Sequence, residues 1–121
     1  MPGNSLQMNV PGGEKRVSLD AEKIFKTLLI QKPLDPEVNH FLGITFQLKN
    51  NIDEALKYFK KATEIKPDFA EAHKNLGNMF YRLGKINEAE ISYVKSIELD
   101  PHLEEAKVNL KVVSEQKKVI D

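Results

Sequence analysis

The chain has 121 residues, of which 40% are hydrophobic and 30% are charged, and its basic and acidic residues cancel to a formal net charge of zero. This length suits one domain, while the neutral balance and the presence of only two arginines, Arg16 and Arg82, argue against a nucleic-acid-binding protein. The absence of cysteine excludes disulfides and thiol chemistry and fits a reducing, cytoplasmic location, and no apolar run is long enough to cross a membrane.

The chain begins with a segment that is poor in helix formers. Residues 1–17 read MPGNSLQMNVPGGEKRV and contain two prolines and three glycines, which disfavour a helix interior. We therefore predict a flexible N-terminal tail over residues 1–17. Beyond it the apolar spacing is helical, and the pattern predicts helices near 18–32, 36–49, 52–66, 69–83, 86–99 and 103–118.

A period of 34 residues runs through most of the chain. Several independent columns of residues recur at this spacing, which indicates a repeat architecture. The columns include Ala21, Ala55 and Ala89; Phe25, Phe59 and Tyr93; Pro33, Pro67 and Pro101; and Leu42, Leu76 and Leu110.

Small residues share this period, with glycine at positions 43 and 77 and alanine at positions 55 and 89. Glycine and alanine let two helix backbones approach closely, while the aromatic residues of the repeat fill the space beside that contact. The sequence therefore predicts a tight seam between successive helices. A bulky residue at Ala55 or Ala89 is expected to overpack it.

Turn and cap signals agree with the predicted helices. Asp35 before Pro36 predicts an N-cap followed by a favourable first helical residue, and Gly84 predicts a helix end in the left-handed conformation. Two further pairs are spaced like capping boxes: Asp68 with Glu71, and Asn87 with Glu90.

The segments NHFLGITFQLKNNIDEALKYFKKATEIKP and HKNLGNMFYRLGKINEAEISYVKSIELDP resemble the tetratricopeptide repeat (TPR) family, and the resemblance covers about residues 18–118. It implies an all-α fold, an α-solenoid of antiparallel helix pairs stacked into a right-handed superhelix. About two full repeats would be flanked by half-repeats. The expected divisions are the tail 1–17, a half-repeat with only its second helix (18–35), repeats over 36–69 and 70–103, and a C-terminal capping helix over 104–121. Asn39 and His73 stand where many members carry tryptophan.

The half-repeats predict apolar surface at both ends of the array. The residues concerned are Ile24, Phe25, Leu28 and Leu29 near the N-terminus, and Val108, Val112 and Val113 in the last helix, where Lys111 replaces the repeat glycine. Because repeats bury their core by stacking on neighbours, these ends make head-to-tail self-association into a ring or a filament possible. The alternative is a monomer whose ends are covered by the tail or by sequence outside this chain.

No catalytic, metal-binding or cofactor-binding constellation is recognisable. The histidines, His40, His73 and His102, lack the i,i+4 spacing of a helical metal site. The paired acids Glu104 and Glu105 are better explained by their favourable position at a helix start. We therefore predict no enzymatic activity, no cofactor and no metal.

The first helix of each repeat lines the concave groove in this family, so the resemblance places a partner-binding groove on these helices. At one end Phe41, Ile44 and Leu48 form an extra apolar stripe, which needs either a ligand or burial against helix 18–32. The remaining candidate residues are Lys74, Asn75, Asn78, Tyr81, Arg82, Asn109 and Val112.

Some family members hold C-terminal carboxylates in a clamp of lysine and asparagine residues. Lys74, Asn78 and Asn109 fall on three of those positions, but the completing positions would lie beyond Asp121, so the clamp is incomplete. The favoured function is a protein–protein interaction module that binds a polypeptide segment in its groove. The alternative is the TPR segment of a larger enzyme, such as a glycosyl-, sulfo- or methyltransferase or a hydroxylase, whose catalytic domain is elsewhere.

Overall fold

The computed structural model of the protein describes residues 13–120, with side chains described from Ala21 onward. This part of the chain contains six α-helices and no strand. The helices are α1 (Gly13–Gln31), α2 (Pro36–Leu48), α3 (Ile52–Ile65), α4 (Ala70–Arg82), α5 (Ile86–Leu99) and α6 (Glu104–Ile120). Each helix packs on the next across a short turn, which confirms the predicted all-α solenoid.

Helix α1 begins at Gly13, before the predicted start near residue 18. Residues 13–17 are therefore helical, and the prediction that they belong to a flexible tail is wrong. The prolines and glycines that suggested the tail all lie at or before Gly13, and the residues that follow include good helix formers. The rest of the predicted tail, residues 1–12, lies outside the described residues.

The start of α2 follows the predicted cap. The carboxylate oxygen Oδ1 of Asp35 accepts hydrogen bonds from the backbone N–H groups of Glu37, at 2.9 Å, and Val38, at 3.1 Å. Pro36 takes the first helical position, where its missing N–H costs nothing. This cap fixes where the first complete helical hairpin begins.

The two predicted capping boxes, at Asp68 and Asn87, are wrong. Helix α4 begins after Phe69 and α5 begins after Lys85, and neither start has a side-chain cap hydrogen bond. Asp68 precedes the cap position and Asn87 already lies in the first helical turn, so both are out of register for capping. A cap that was not predicted occurs at α3, where Asn51 accepts a backbone N–H at 3.4 Å.

The turns of the two helical hairpins share one backbone conformation. Gly84 has φ of +78°, as predicted for a left-handed helix end, and Asn50 has φ of 62° at the equivalent position one repeat earlier. Asparagine is among the few residues that tolerate this conformation. The two turns therefore bend alike despite their different residues.

The seam within each hairpin is as tight as the small residues predicted. A Cβ atom added to Gly43 would lie 2.6 Å from a ring carbon of Phe59, and one added to Gly77 would lie 2.8 Å from the ring of Tyr93. Ala55, on the facing helix, is completely buried. Each glycine therefore lets the aromatic ring of the next helix rest directly on the helix backbone.

Asn39 and His73 both anchor the turn that precedes their helix. The side-chain amide of Asn39 donates to the carbonyl oxygens of Pro33, at 3.3 Å, and Asp35, at 2.8 Å. One repeat later, Nε2 of His73 lies 2.8 Å from the carbonyl oxygen of Pro67. A hydrogen-bonding side chain at this position thus ties each proline turn to the hairpin that follows.

The exposure of apolar residues at the two ends of the array differs in part from the prediction. Phe25 is half-buried, whereas its repeat equivalents are at most 1% exposed. Val113 is 1% exposed and lies in the core, so the prediction that it adds apolar surface is wrong. Val108 and Val112 are 59% and 48% exposed and do add such surface.

Candidate functional site

A cleft of about 250 Å³ opens among α2, α4 and α6, the alternate helices of the solenoid. Five of the predicted groove residues line it: Asn78, Tyr81, Arg82, Asn109 and Val112. Gln47, Tyr93, Glu105 and Val113 also line the cleft and were not among the predicted groove residues. The repeat spacing could have identified Tyr93 because it is the one tyrosine in its aromatic column.

A chain of hydrogen bonds connects the buried core to the cleft. The hydroxyl of Tyr93 donates to Oδ1 of Asn78, and Nδ2 of Asn109 donates to the same oxygen at 3.0 Å. Burial raises the pKa of Tyr93 to about 12, against the effect of its hydrogen bond with Asn109, so the phenol remains a neutral donor. With these bonds made, the amide N–H groups of Asn78 and the carbonyl oxygen of Asn109 are left for a ligand.

Lys74 does not line the cleft, although the sequence placed it in the groove. It is only 8% exposed, and its ammonium group lies 2.8 Å from Glu105 and 3.0 Å from Glu71. Burial lowers the pKa of Lys74, but the hydrogen bonds to Glu105 and Glu71 outweigh it and leave the pKa above its ordinary value. Lys74 is therefore charged, and its charge is already met by two carboxylates of the same chain.

Asn75 also lies outside the cleft and instead joins α2 to α4. It is 8% exposed, and its Nδ2 lies 2.9 Å from Nε2 of His40. His40 is buried among aromatic rings, with ring centroids at 4.7 Å to Phe69 and 5.5 Å to Phe59. Burial lowers the pKa of His40, so the neutral ring accepts the amide hydrogen bond.

Two long-range hydrogen bonds shape the rim of the cleft. The hydroxyl of Tyr81 donates to Gln116 of α6 at 2.8 Å, and Nη2 of Arg82 donates to Asn50 at 2.6 Å. Arg82 is exposed, so its remaining N–H groups face solvent at one end of the cleft. The rim thus offers a phenol and a cation that are already held in place.

The apolar stripe of Phe41, Ile44 and Leu48 lies beside the cleft rather than in it. Phe41 stacks on Phe25 of α1 with ring centroids 5.4 Å apart, yet it remains 43% exposed. Ile44 is half-buried against the core, and Leu48 is 76% exposed. Burial against α1 therefore covers part of this stripe, and Leu48 is left open.

A second and larger depression, of about 680 Å³, lies between α1 and α3. Its lining is a mixture of apolar and charged side chains that includes Leu29, Leu56, Lys57 and Lys61. None of the ten predicted groove residues lines it. We therefore treat the cleft among α2, α4 and α6 as the candidate site.

Two family models match the middle of the chain, which contains the second glycine–aromatic seam and the part of the cleft formed by α4. The model described as TPR repeat matches residues 45–84, and the model described as tetratricopeptide repeat matches residues 70–103. The chain is a tetratricopeptide-repeat protein. Eight of the nine residues that line its cleft lie on α2, α4 and α6, and Tyr93 lies on α5.

Solved TPR structures share this fold. The first TPR of Spaghetti (RPAP3), bound to the HSP90 peptide SRMEEVD, has a TM-score of 0.82 and 18% identity, and the match covers 88% of this chain and 85% of that chain. The type III secretion chaperone SycD of Yersinia enterocolitica, in complex with a peptide of the translocator YopD, has a TM-score of 0.78 and 17% identity over 88% of this chain and 86% of that chain. An O-GlcNAc transferase mutant of Thermobaculum terrenum has a TM-score of 0.75 and 27% identity, but the match covers 79% of this chain and only 18% of that chain. No curated protein sequence matches the chain.

The described part of this TPR protein lacks two features of other functions. Within residues 13–120, no group of three or more histidine, aspartate or glutamate residues is arranged to hold a metal ion. None of the helices in the same range is both long and apolar enough to cross a bilayer. The amide, phenol and guanidinium groups of the cleft are suited to hydrogen bonding with a ligand rather than to bond making.

Proposed function

We propose that this TPR protein binds a polypeptide segment in the cleft among α2, α4 and α6. The observation that carries the proposal is the hydrogen-bonded group of Tyr93, Asn78 and Asn109. It fixes two side-chain amides so that donors and an acceptor remain for a ligand. Because every peptide unit has one N–H donor and one C=O acceptor, such amides can recognise a backbone without requiring a particular sequence.

The surroundings of these amides suit side chains of the bound segment. Val112 is 48% exposed at the cleft, and Leu48 and Phe41 lie exposed beside it, so apolar side chains have surface to cover. Arg82 offers a cation at one end. Affinity is expected to be modest, because the cleft is small and the ligand must be ordered on binding.

Two of the TPR neighbours support this proposal, since each has been solved in complex with a peptide. The alternative of an enzyme fragment is not favoured. Its support is the likeness to a transferase that this chain matches over only a small part of the transferase's length. The proposal therefore includes no catalytic role for the chain itself, and it includes a cytoplasmic location because cysteine is absent.

A selection of random displayed peptides on the purified protein tests the proposal. Selected peptides should shift the backbone amide NMR signals of α4 and α6 more than those of α5. The variant Val112→Trp fills part of the cleft with a large side chain without changing its charge, and it should weaken their binding at least about tenfold because the ligand loses space that it would occupy.

The matched control is Ile91→Trp, which makes the same kind of change on α5. Ile91 is 68% exposed and does not line the cleft. Both variants alter exposed residues, so their melting temperatures should stay close to that of the wild-type protein. Equal binding of the selected peptides to Val112→Trp and to the wild-type protein would contradict the proposed groove.

A further inference from the structure

One end of the cleft carries an excess of negative charge. The ammonium group of Lys74 lies between the carboxylates of Glu71 and Glu105, at 3.0 and 2.8 Å, so one cation meets two anions. Lys74 is 11% exposed in its side chain, whereas the side chains of Glu71 and Glu105 are 50% and 57% exposed. A ligand therefore meets the carboxylates and not the ammonium group.

Glu105 is the carboxylate that a ligand meets first, because it also lines the cleft. The neighbouring polar groups, Asn78, Asn109 and Tyr93, are uncharged and do not offset its field. Arg82 is the nearest cation lining the cleft, but it lies eight residues after Lys74 on α4, which corresponds to about 12 Å along the helix. That backbone separation exceeds the screening length of about 8 Å in physiological salt, so Arg82 offsets the charge at the Lys74 end of the cleft only in part.

The ion pairs of Lys74 change which ligands the lysine–asparagine set can bind. Lys74, Asn78 and Asn109 match positions at which related proteins hold a terminal carboxylate. In this chain a second carboxylate, that of Glu105, already occupies the space in front of the lysine. A ligand carboxylate placed there would face a like charge, which weakens binding strongly in a confined site.

We infer that Glu105 determines the specificity of the cleft, so that it accepts peptide segments bearing a lysine or arginine side chain and rejects segments that end in a carboxylate. This inference rests on the proposed function, because it concerns the ligand of the same cleft. A basic side chain would approach the exposed oxygens of Glu105 and Glu71, while the amides of Asn78 and Asn109 hold the adjoining backbone.

Three labelled heptapeptides of matched length test the inference by fluorescence anisotropy. The acidic probe is SQMEEVD with a free C-terminal carboxylate, the neutral probe is SQMQQVN with a C-terminal amide, and the basic probe is SQMKKVK with a C-terminal amide, each labelled through its N-terminus so that no amine charge remains there. The wild-type protein should bind the basic probe at least about tenfold more tightly than the acidic one. In Glu105→Gln, which keeps an acceptor for Lys74, that ratio should fall at least about fivefold, mainly through tighter binding of the acidic probe.

The matched control is Glu104→Gln, which removes a carboxylate from the adjacent residue of α6. Glu104 pairs with Lys107 and does not line the cleft, so its loss should leave the ratio unchanged. A purely structural role for Glu105 would alter the melting temperature but not the preference between probes. Equal or tighter binding of the acidic probe to the wild-type protein, or an unchanged ratio in Glu105→Gln, overturns the inference.

The outcome is separable from that of the proposed function. If none of the three probes binds, the charge inference fails, while the selection of random peptides still decides whether the groove binds a polypeptide. If the selected peptides bind in the cleft and are rich in acidic residues, the groove stands and the inference about Glu105 fails.

Discussion

The two repeats of this protein are built on the same seam but present different surfaces to the groove. In the first repeat Phe59 lies on Gly43, and Ile44 is half-buried against the core, outside the cleft. In the second repeat Tyr93 lies on Gly77, and its hydroxyl bonds to Asn78, which stands at the position equivalent to Ile44. The exchange of two residues thus replaces an apolar pair outside the cleft by a hydrogen-bonded pair that lines it.

This difference shows how a core position can shape a binding surface. A phenylalanine at the seam ends within the core, whereas the tyrosine hydroxyl passes beyond it and fixes the orientation of the Asn78 amide. Asn109 on α6 then bonds to the same amide. A core side chain therefore orients the polar groups of the cleft, whereas Ile44 cannot form such a hydrogen bond.

The largest loss of stability is expected from changes in the helix–helix seam that the two repeats share. Ala55→Leu and Ala89→Leu each place a larger side chain at a completely buried position and should cost about 1–3 kcal/mol of unfolding free energy. Urea unfolding followed by circular dichroism measures the change. Lys57→Leu, at an exposed position of α3, should stay within about 0.5 kcal/mol of the wild-type protein, and equal tolerance of all three changes would mean that the seam is misplaced.

The next largest loss of stability is expected when the tyrosine of the second repeat is placed at the same position of the first repeat. Phe59→Tyr buries a hydroxyl beside Ile44, which offers no acceptor, and should cost about 1–3 kcal/mol. Adding Ile44→Asn recreates the pair found in the second repeat and should recover about 1 kcal/mol or more relative to the sum of the single changes. A double variant that is no better than this sum would show that the pairing of Tyr93 with Asn78 is not transferable.

The reverse exchange should have a smaller effect on stability. Tyr93→Phe removes the hydroxyl that donates to Asn78 and should cost about 0.5–1.5 kcal/mol in urea unfolding. Its more informative consequence is for the groove, since the Asn78 amide loses one of the bonds that orient it. Peptides selected on the wild-type protein should bind Tyr93→Phe more weakly, and unchanged binding would mean that the hydroxyl contributes only to the core.

The smallest expected effect is a dependence of stability on pH that arises in the first repeat. Burial lowers the pKa of His40 below its ordinary value of 6.5, so the unfolded chain takes up this proton more readily than the folded protein. The stabilising contribution of neutral His40 is therefore complete above that ordinary value and is lost as the pH falls below it. The nearby Glu71 opposes this shift and Lys74 reinforces it.

Urea midpoints at pH about 8 and about 5.5 measure this effect. The difference between the two midpoints should shrink in His40→Gln. It should persist in His102→Gln, because His102 is exposed and contributes no comparable burial. A His40→Gln variant with the same pH dependence as the wild-type protein would assign the effect to other groups.

The repeat spacing was sufficient to predict the helices, since a seam must recur wherever its glycine, alanine and aromatic residues recur. The capping boxes at Asp68 and Asn87 failed because a shift of one or two residues in a helix start moves a side chain out of capping range. The early start of α1 was missed because local composition says little about where a helix that packs on its neighbour begins.

The candidate site was predictable only in part. Asn78, Tyr81, Arg82, Asn109 and Val112 line the cleft because they follow the face of the first helices. Lys74 and Asn75 lie on the same face, but contacts with Glu105 and His40 draw them into buried pairs. Such pairs join residues 31 and 35 positions apart, and a periodic pattern does not show which neighbours will meet.

The glycine–aromatic seam has a consequence for assembly at the other end of the molecule. Position 111 on α6 is the equivalent of Gly43 and Gly77, and it holds an exposed lysine. At Gly43 and Gly77 an added Cβ atom would lie 2.6 to 2.8 Å from the facing aromatic ring. Lys111 has such a Cβ atom, so an aromatic ring cannot pack equally close to the backbone of α6 at this position. Head-to-tail association stays a prediction, but a second copy cannot dock on α6 by copying the internal joint. Each repeat of the array is built on the same glycine–aromatic contact, and at Lys111 the surface that would form this contact has a different shape.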